Sequence, residues 1–354
     1  MPDLDSPDSF VELDPQGMLD AIAGLPEHCE HGWREAQKLQ LPGEYRQVRQ
    51  VVILGLGGSG IGGDLLRTLL VAECPIPILV HRDYELPAFV GRQTLVVVCS
   101  YSGNTEEALV GFEQAVERGA ALLSISSGGE LTRRTRNRGI PLCTFLYETQ
   151  PRAALGYLLM FMLGVIQALA LVRDKSEDVA EAVAVMRHWQ KEIEPCVPGG
   201  ENAAKRLARH LQGHLPVIYA AEHLSEVARR WKGQFNENSK SWAAYDILPE
   251  LDHNSVVGYP LPLDMARLAH ILMLISQRYH PRVLQRCDIT RELLQRHGYA
   301  CDVIEARGES TLAQLLSLVH FGDYVSYYLA MLYGVDPWSI GNIDFVKKQL
   351  AVHR

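Results

Sequence analysis

The sequence lacks three features that would each have indicated a particular class of protein. Its seven cysteines form no Cys-x-x-Cys pair and are odd in number, so neither a disulfide framework nor a zinc knuckle is indicated. Basic residues are in the minority, with 34 Lys and Arg against 42 Asp and Glu and a formal net charge of -8. An acidic surface repels nucleic acids and anionic membranes, so neither is an expected partner. Reduced thiols, and an acidic N-terminus without the basic-then-apolar order of a secretory signal, favour a cytoplasmic location.

One long apolar run, residues 153–172, has the length of a membrane-spanning helix. The run stands alone, Gln167 interrupts it, and α/β sequence flanks it on both sides. We therefore interpret it as a helix that is buried on all sides inside the protein.

Apolar strands alternate with helical segments along most of the 354 residues, a length that allows two α/β lobes. The strands are predicted at Gln50–Leu54, Ile76–Val80, Thr94–Cys99, Ala121–Ile125, Pro216–Ala220 and Cys301–Glu305. Such alternation is typical of doubly wound parallel sheets in the α/β class. The predicted division is an N-terminal helical segment 1–49, a first lobe 50–172, a helical connection 173–209, and a second lobe with C-terminal helices 210–354.

A glycine-rich loop follows the first predicted strand. Gly55, Gly57 and Gly60 satisfy G-x-G-x-x-G between a strand and a helix, which is also the fingerprint of dinucleotide-binding proteins. Main-chain N–H groups at such a helix start bind any phosphate, because they lack intrahelical partners and the helix dipole is positive there. A dinucleotide site also needs an acidic residue at the end of the second strand, and residues 80–83 offer only a displaced one. The loop therefore predicts a phosphate site more firmly than an NAD site.

A second loop, Ser-Tyr-Ser-Gly-Asn-Thr-Glu at residues 100–106, follows the third predicted strand. Its hydroxyls can donate to phosphate oxygens without adding a charge that must be desolvated. The carboxyl ends of parallel strands share the edge at which such sheets bind ligands. The alternative, that these residues only cap a helix, fits the density of hydroxyls less well. The predicted phosphate-binding residues are Gly57, Gly58, Ser59, Ser100, Ser102 and Thr105.

The strings LGLGGSGIGGDLL (54–66) and SYSGNTEEAL (100–109) resemble the two signature loops of the sugar isomerase (SIS) superfamily. More narrowly, they are similar to those of the bifunctional phosphoglucose/phosphomannose isomerases of archaea and bacteria, and the resemblance extends from about residue 50 to the C-terminus. It implies two SIS-type, flavodoxin-like lobes. It also implies reversible isomerisation of glucose 6-phosphate, and of mannose 6-phosphate, with fructose 6-phosphate through an enediol, without a metal or redox cofactor. A further implication is a homodimer in which a histidine is shared across the interface.

Glu237, in the string FNENSK (235–240), resembles the catalytic glutamate of that family, which moves a proton between C1 and C2 of the sugar. We expect partial burial among Phe235 and Trp242 to raise its pKa and make it a better base near neutrality. The alternative is a solvated glutamate paired with Lys240, three residues further on.

Three more residues lie in local strings that resemble motifs of the family. His253 resembles the histidine that helps to open the sugar ring from the neighbouring subunit, and Arg152 resembles the arginine that stabilises the enediolate oxygens. Lys347 resembles a C-terminal lysine assigned to ring opening, although the adjacent Lys348 leaves its register open. The chain departs from the family at residues 145–150, which read FLYETQ where a proline-rich stretch is common.

The alternatives to these functional roles are that Arg152 is a surface arginine and that Lys347 lies on an exposed helix face. Three other functions also remain open at the level of sequence. One is a non-catalytic SIS-type regulatory protein that binds a sugar phosphate, although no basic helix-turn-helix precedes residue 50. The others are a nucleotide-dependent dehydrogenase and an SIS isomerase acting on amino sugars or other phosphosugars.

Overall fold

The computed structural model describes residues 3–6 and 10–352. The chain divides into two compact units, and each contains a parallel sheet of its own. The N-terminal unit consists of Ala23–Arg187 with Arg307–Ser317. The C-terminal unit consists of Met1–Ile22, His188–Ala306 and Leu318–Arg354.

The described residues form nine β-strands and thirteen α-helices. The strands are β1 Gln50–Leu54, β2 Ile78–His81, β3 Thr94–Cys99, β4 Ala121–Ser126, β5 Leu142–Thr144, β6 Leu215–Ala221, β7 Ala244–Leu248, β8 Ala269–Ile275 and β9 Ala300–Glu305. The helices are α1 Met18–Ala23, α2 Leu25–Ala36, α3 Gly57–Leu70, α4 Glu106–Glu117, α5 Gly129–Asn137, α6 Leu155–Ala168, α7 Ser176–Ile193, α8 Ala203–Leu211, α9 Ser225–Glu237, α10 Met265–Leu268, α11 Pro281–Arg296, α12 Thr311–Tyr333 and α13 Gly341–Val352.

The sheet of the N-terminal unit has the order β2-β1-β3-β4-β5, with every pairing parallel. This is the flavodoxin-like order, in which the direction of winding reverses between β1 and β3. All of β3 and most of β1 are buried, which explains why both strands are continuous apolar runs. Leu54 pairs with Val98, so the carboxyl ends of these two strands lie side by side.

The long apolar run forms α6, preceded by a 3₁₀ turn at Pro151–Ala154. Among the described residues, this is the one helix long and apolar enough to cross a membrane, and 83% of the window Pro151–Ala168 is buried inside the protein. Helix α2 packs closely against it, and a Cβ placed on Gly164 would lie only 2.5 Å from the Cβ of Ala36. The prediction of a helix buried on all sides is confirmed.

The sheet of the C-terminal unit has the order β7-β6-β8-β9, again with every pairing parallel. Helix α9 is anchored in the core of this unit by Trp231, whose Nε1 donates to the carbonyl oxygen of Leu318 at 2.8 Å. The buried guanidinium of Arg230 adds an ion pair to Asp323 at 2.9 Å. The prediction of two parallel-sheet α/β lobes is thus confirmed. The contacts of Trp231 and Arg230 also hold α9 in place, and Glu237 is the last residue of that helix.

Candidate functional site

Two helices of the N-terminal unit begin where the direction of winding in the sheet reverses. Helix α3 begins at Gly57 after β1, and α4 begins at Glu106 after β3. Because β1 and β3 are adjacent and parallel, both helix starts lie at the same edge of the sheet. Within the described residues, neither N-cap residue, Leu56 or Thr105, makes a side-chain capping hydrogen bond. The positive ends of two helix dipoles therefore converge at this edge and favour an anion.

The glycine loop brings main-chain atoms closer together than any side chain would allow. A Cβ on Gly58 would lie 2.6 Å from the carbonyl carbon of Pro151 and 2.7 Å from the nitrogen of Arg152. A Cβ on Gly60 would lie 2.5 Å from the carbonyl oxygen of Gly55. Gly57 has a φ of +52°, in the left-handed region that favours glycine. These glycines let the loop turn tightly and let the segment that contains Arg152 pack directly against it.

The hydroxyl groups of the second loop form a connected network with the first. The Ser100 and Thr105 hydroxyls lie 2.9 Å apart, and the N–H of Gly103 donates to the Ser100 hydroxyl at 3.1 Å. The Ser59 hydroxyl accepts from the N–H of Tyr101 at 3.1 Å, which joins the two loops directly. The structure thus brings Ser59, Ser100 and Thr105 together at the starts of α3 and α4. Ser102 lies at the exposed tip of its loop.

Arg152 is almost completely buried, with 1% of its surface exposed. It lies in the 3₁₀ turn beside Gly58, at the head of α6. The alternative of a surface arginine is therefore wrong. A buried guanidinium is retained only where hydrogen bonds or a negative charge offset its desolvation, and this position next to the glycine loop and the serine loop suits an anionic ligand.

Tyr101 is a residue of this site that sequence reasoning missed. Its hydroxyl donates to the carbonyl oxygen of Tyr147 at 2.5 Å and accepts from the N–H of Thr149 at 2.8 Å. It thereby ties the second loop to residues 145–150. Burial raises the pKa of Tyr101, so the phenol stays protonated and remains a donor. The feature of the sequence that indicated a role for Tyr101 was its position inside the serine-rich string.

Arg82 is a second missed residue. It directly follows β2, which neighbours β1, so it lies at the same edge of the sheet as the glycine loop. Its Nε would be 3.3 Å from a Cβ on Gly60, and its guanidinium forms an ion pair with the buried carboxylate of Asp64. A cationic side chain thus borders the loop, although the acidic net charge of the chain gave no indication of it.

Glu237 is the last residue of α9, and the residues that follow it are held firmly. The Asn238 amide donates to the Ser326 hydroxyl at 2.9 Å, and the Ser239 hydroxyl donates to the carbonyl oxygen of Ser326 at 2.8 Å. The Lys240 ammonium donates to the main-chain carbonyl oxygen of Glu237 at 2.5 Å. These contacts fix the backbone at Glu237.

Of the two aromatic residues expected to surround Glu237, the structure rules out Trp242. Phe235 is fully buried, whereas Trp242 is 81% exposed and cannot desolvate the carboxylate in this chain. Trp242 points outward because it lies in the connection between α9 and β7, which is an edge strand that is itself partly exposed.

His253 and Glu237 lie near opposite ends of β7. Glu237 precedes the strand, and His253 ends the 3₁₀ turn that follows it, Glu250–His253. The five residues of β7 alone span roughly 13 Å between their first and last Cα atoms. His253 is exposed, and its neighbour Asp252 is held by Arg286 at 2.8 Å and by Thr290 at 2.9 Å. The structure therefore does not bring these two predicted residues together within one chain.

Lys347 lies in the middle of α13, as does the adjacent Lys348. The described residues of that helix include none that is buried. In the single chain, the position of Lys347 therefore agrees with the alternative of an exposed helix face.

Comparison with known proteins adds three findings. Residues 200–350 match the family described as the bacterial phospho-glucose isomerase C-terminal SIS domain. The chain is 40% identical over 335 residues to a bifunctional phosphoglucose/phosphomannose isomerase of Caldicellulosiruptor bescii, covering 94% of this chain and 99% of that protein. It is 38% identical over 304 residues to one of Aquifex aeolicus, covering 86% of this chain and 91% of that protein.

The fold is also found among solved structures. A hypothetical protein from Thermus thermophilus superimposes with a TM-score of 0.77 at 17% identity, covering 98% of this chain and 94% of that chain. The identity to these relatives over nearly the whole length, together with the two parallel sheets, shows that this chain belongs to the bifunctional phosphoglucose/phosphomannose isomerase family.

Proposed function

We propose that the protein is an aldose–ketose isomerase that interconverts glucose 6-phosphate and mannose 6-phosphate with fructose 6-phosphate. The observation that carries this proposal is the 40% identity, over 94% of the chain, to a protein named for both isomerase activities. The pair of loops at the switch point of the first sheet supports it, because a sugar phosphate brings a dianion that such loops are suited to hold.

The sugar's phosphate group binds the glycine loop and the serine loop. The residues concerned are Gly57, Gly58, Ser59, Ser100, Ser102 and Thr105. The network that joins Ser59, Ser100 and Thr105 supports this assignment, since it preorganises hydroxyls at the starts of α3 and α4. Among the described residues, the N-cap side chains of these two helices make no capping hydrogen bond. Preorganised donors cost little entropy when the ligand binds.

Glu237 acts as the base that removes the proton from C2 of the aldose and returns it to C1 of the enediol. Loss of that proton moves the electron pair of the C–H bond into a C1–C2 double bond, and negative charge develops on the sugar oxygens. Arg152 stabilises those oxygens, and its burial strengthens the interaction because water screens it little. The firm attachment of the residues after Glu237 suits proton transfer, which depends on hydrogen-bond geometry.

His253 opens the sugar ring of the neighbouring subunit's substrate, so that the working unit is a homodimer, and Lys347 assists there. The placement of His253 and Glu237 near opposite ends of β7, with His253 exposed, supports two different chains as the sources of one site. An imidazole suits the task because it gains or loses a proton near neutral pH. We also place the protein in the cytoplasm, where its seven cysteines, all free and all within the described residues, would stay reduced.

Mixing two inactive variants tests the shared site. Glu237→Gln removes the base from one chain, and His253→Ala removes the ring-opening group from the other. If the site is shared, heterodimers regain one intact site each, and statistical re-pairing returns up to about a quarter of the parental turnover. Mixed Glu237→Gln and Lys347→Ala chains show whether Lys347 acts from the same chain as His253. If verified subunit exchange restored no activity, both residues would serve the same chain's site.

Direct assays of turnover test the function itself. The purified protein is supplied with glucose, mannose and glucosamine 6-phosphates, and fructose 6-phosphate is followed with coupling enzymes. We expect turnover of the glucose and mannose esters and none of the amino sugar. A regulatory protein would bind one of these esters without turning it over, and a preference for glucosamine 6-phosphate would move the chain to a different SIS activity.

A further inference from the structure

Three ligand-type side chains converge in the C-terminal unit, on elements that the proposed reaction does not use. They are His210 in the last turn of α8, His270 in β8 and Asp302 in β9. The Oδ2 atom of Asp302 lies 3.0 Å from Nδ1 of His210 and 2.8 Å from Nε2 of His270. All three ligand atoms lie within 4.8 Å of one another, and the two imidazole rings stack with their centroids 6.1 Å apart.

The fold itself creates this convergence. Strands β8 and β9 are parallel neighbours in which His270 pairs with Ala300, so Asp302 stands two residues further along the partner strand. Because side chains alternate between the faces of a strand, residues two apart share a face. His270 and Asp302 therefore project from one face of the sheet, and α8 brings His210 to meet them.

We propose that His210, His270 and Asp302 bind a Zn²⁺ ion, with water in the fourth position. Two imidazoles and a carboxylate form a donor set that zinc accepts, and three protein ligands leave one position of a tetrahedron open. The side chains of His210 and Asp302 are 55% and 34% exposed, so water reaches the cluster, whereas that of His270 is only 9% exposed.

Between the carboxylate and each imidazole, only a small movement is needed to admit the ion. Ligand atoms about 2.0–2.1 Å from a tetrahedral zinc lie about 3.3 Å from one another. The present separations of 2.8 and 3.0 Å must therefore widen by a few tenths of an ångström. The partly exposed side chains of His210 and Asp302 can supply that shift, while His270 is held in the sheet.

A third imidazole borders the cluster. The ring of His214 packs edge-on against His270, with centroids 5.8 Å apart, and positions the ring of that ligand. Its buried Nδ1 has no hydrogen-bond partner among the residues that the structure describes. The ion would join α8 to the central strand β8 and to the edge strand β9. The site therefore stabilises the C-terminal unit and takes no part in the isomerase reaction, and the proposal does not rest on that reaction.

Zinc titration of the full-length chain tests the site. The protein is stripped with a chelator and titrated with ZnCl₂ in a calorimeter, and Co²⁺ is added separately to record the visible absorption of a tetrahedral site. We expect one equivalent to bind in the micromolar range or tighter. Asp302→Asn preserves the shape of the side chain but removes its charge, and His270→Gln removes an imidazole. Each should weaken zinc binding by at least roughly 10- to 100-fold, the loss seen even when an outer partner of a zinc ligand is removed.

His188→Asn is the matched control, because His188 is an exposed histidine of the same unit outside the cluster. The control should bind zinc like the parent, and zinc should raise the melting temperature of parent and control but not of Asp302→Asn. A cooperative melting transition of Asp302→Asn without zinc establishes that the variant is folded. Retention of zinc affinity by both ligand variants, or no saturable binding by the parent, overturns the site. Loss of turnover on chelation that zinc restores overturns its non-catalytic role.

Discussion

Replacing Gly58 by alanine adds one methyl group where the glycine loop most closely approaches the segment that contains Arg152. The new Cβ would lie 2.6 Å from the carbonyl carbon of Pro151, and ordinary van der Waals contact begins at 3.4 Å. The two segments must therefore separate by about 0.8 Å, because both contacting groups are backbone and cannot rotate away. The overpacking itself should lower the free energy of unfolding by about 1–3 kcal/mol.

The displacement should act on catalysis through Arg152. A misplacement of about 1 Å can cost as much as 10²-fold in rate, so we expect kcat to fall by roughly 10- to 100-fold. That range corresponds to about 1.4–2.7 kcal/mol of transition-state stabilisation. KM should change less, because the hydroxyls of Ser100 and Thr105 keep their own contacts. Gly43→Ala is the matched control, since a Cβ at Gly43 meets nothing within 4 Å.

A double-mutant cycle decides whether the loss passes through Arg152. If it does, adding Gly58→Ala to Arg152→Ala should cost little further activity, because the group being displaced is already absent. Rates are measured with fructose 6-phosphate in a coupled assay, and folding is checked by thermal melting. Normal kcat and KM in folded Gly58→Ala would refute the reasoning, as would full additivity of the two losses.

The phosphate assignment predicts that Ser102→Ala and Thr105→Val raise KM more than they lower kcat, because phosphate contacts are shared by the ground state and the transition state; normal KM with lost turnover would contradict it. Burial lowers the pKa of His320 to about 4, so between pH 6.5 and 4 the unfolded chain binds a proton that the folded chain does not. The free energy of unfolding should therefore decrease as the pH is lowered from 6.5 to 4, by roughly 1 kcal/mol per pH unit from this group, and His320→Gln should flatten that slope in urea titrations; an unchanged slope would refute the assignment. Tyr101→Phe should lower kcat, because it removes the hydroxyl that holds residues 145–150, and an unchanged kcat would show that this tie is dispensable.

The fold was predictable where the local pattern and the buried environment agree. Strands β1 and β3 were predicted at their observed bounds, because a strand buried on both faces is a continuous apolar run. Strand β7 was missed because it is a partly exposed edge strand and carries no such run. Strand β8 was also missed, although Ala269–Ile275 is apolar, because short α10 directly precedes it and no turn signal separates the two.

The parts of the candidate site that lie in continuous sequence motifs were predictable. The loops at 55–60 and 100–106 are recognisable by glycines and hydroxyls in a strand-to-helix setting. Arg82 and the exposure of Trp242 depend on how distant segments pack, which one sequence does not reveal. The cluster of His210, His270 and Asp302 could not be predicted from the sequence for the same reason. Strand pairing, not spacing along the chain, brings its members together.

Glu237→Gln tests the central claim most directly, because glutamine keeps the shape of the side chain but cannot accept a proton from carbon. Loss of a general base costs typically about 10² to 10⁴ in rate, and KM should stay within a few fold because the phosphate is held elsewhere. Exchange of the C2 proton with heavy water is measured beside turnover, with Glu292→Gln, an exposed glutamate of α11, as control. The account predicts that exchange and turnover fall together in Glu237→Gln and stay normal in the control. Near-normal turnover and exchange in Glu237→Gln would contradict it.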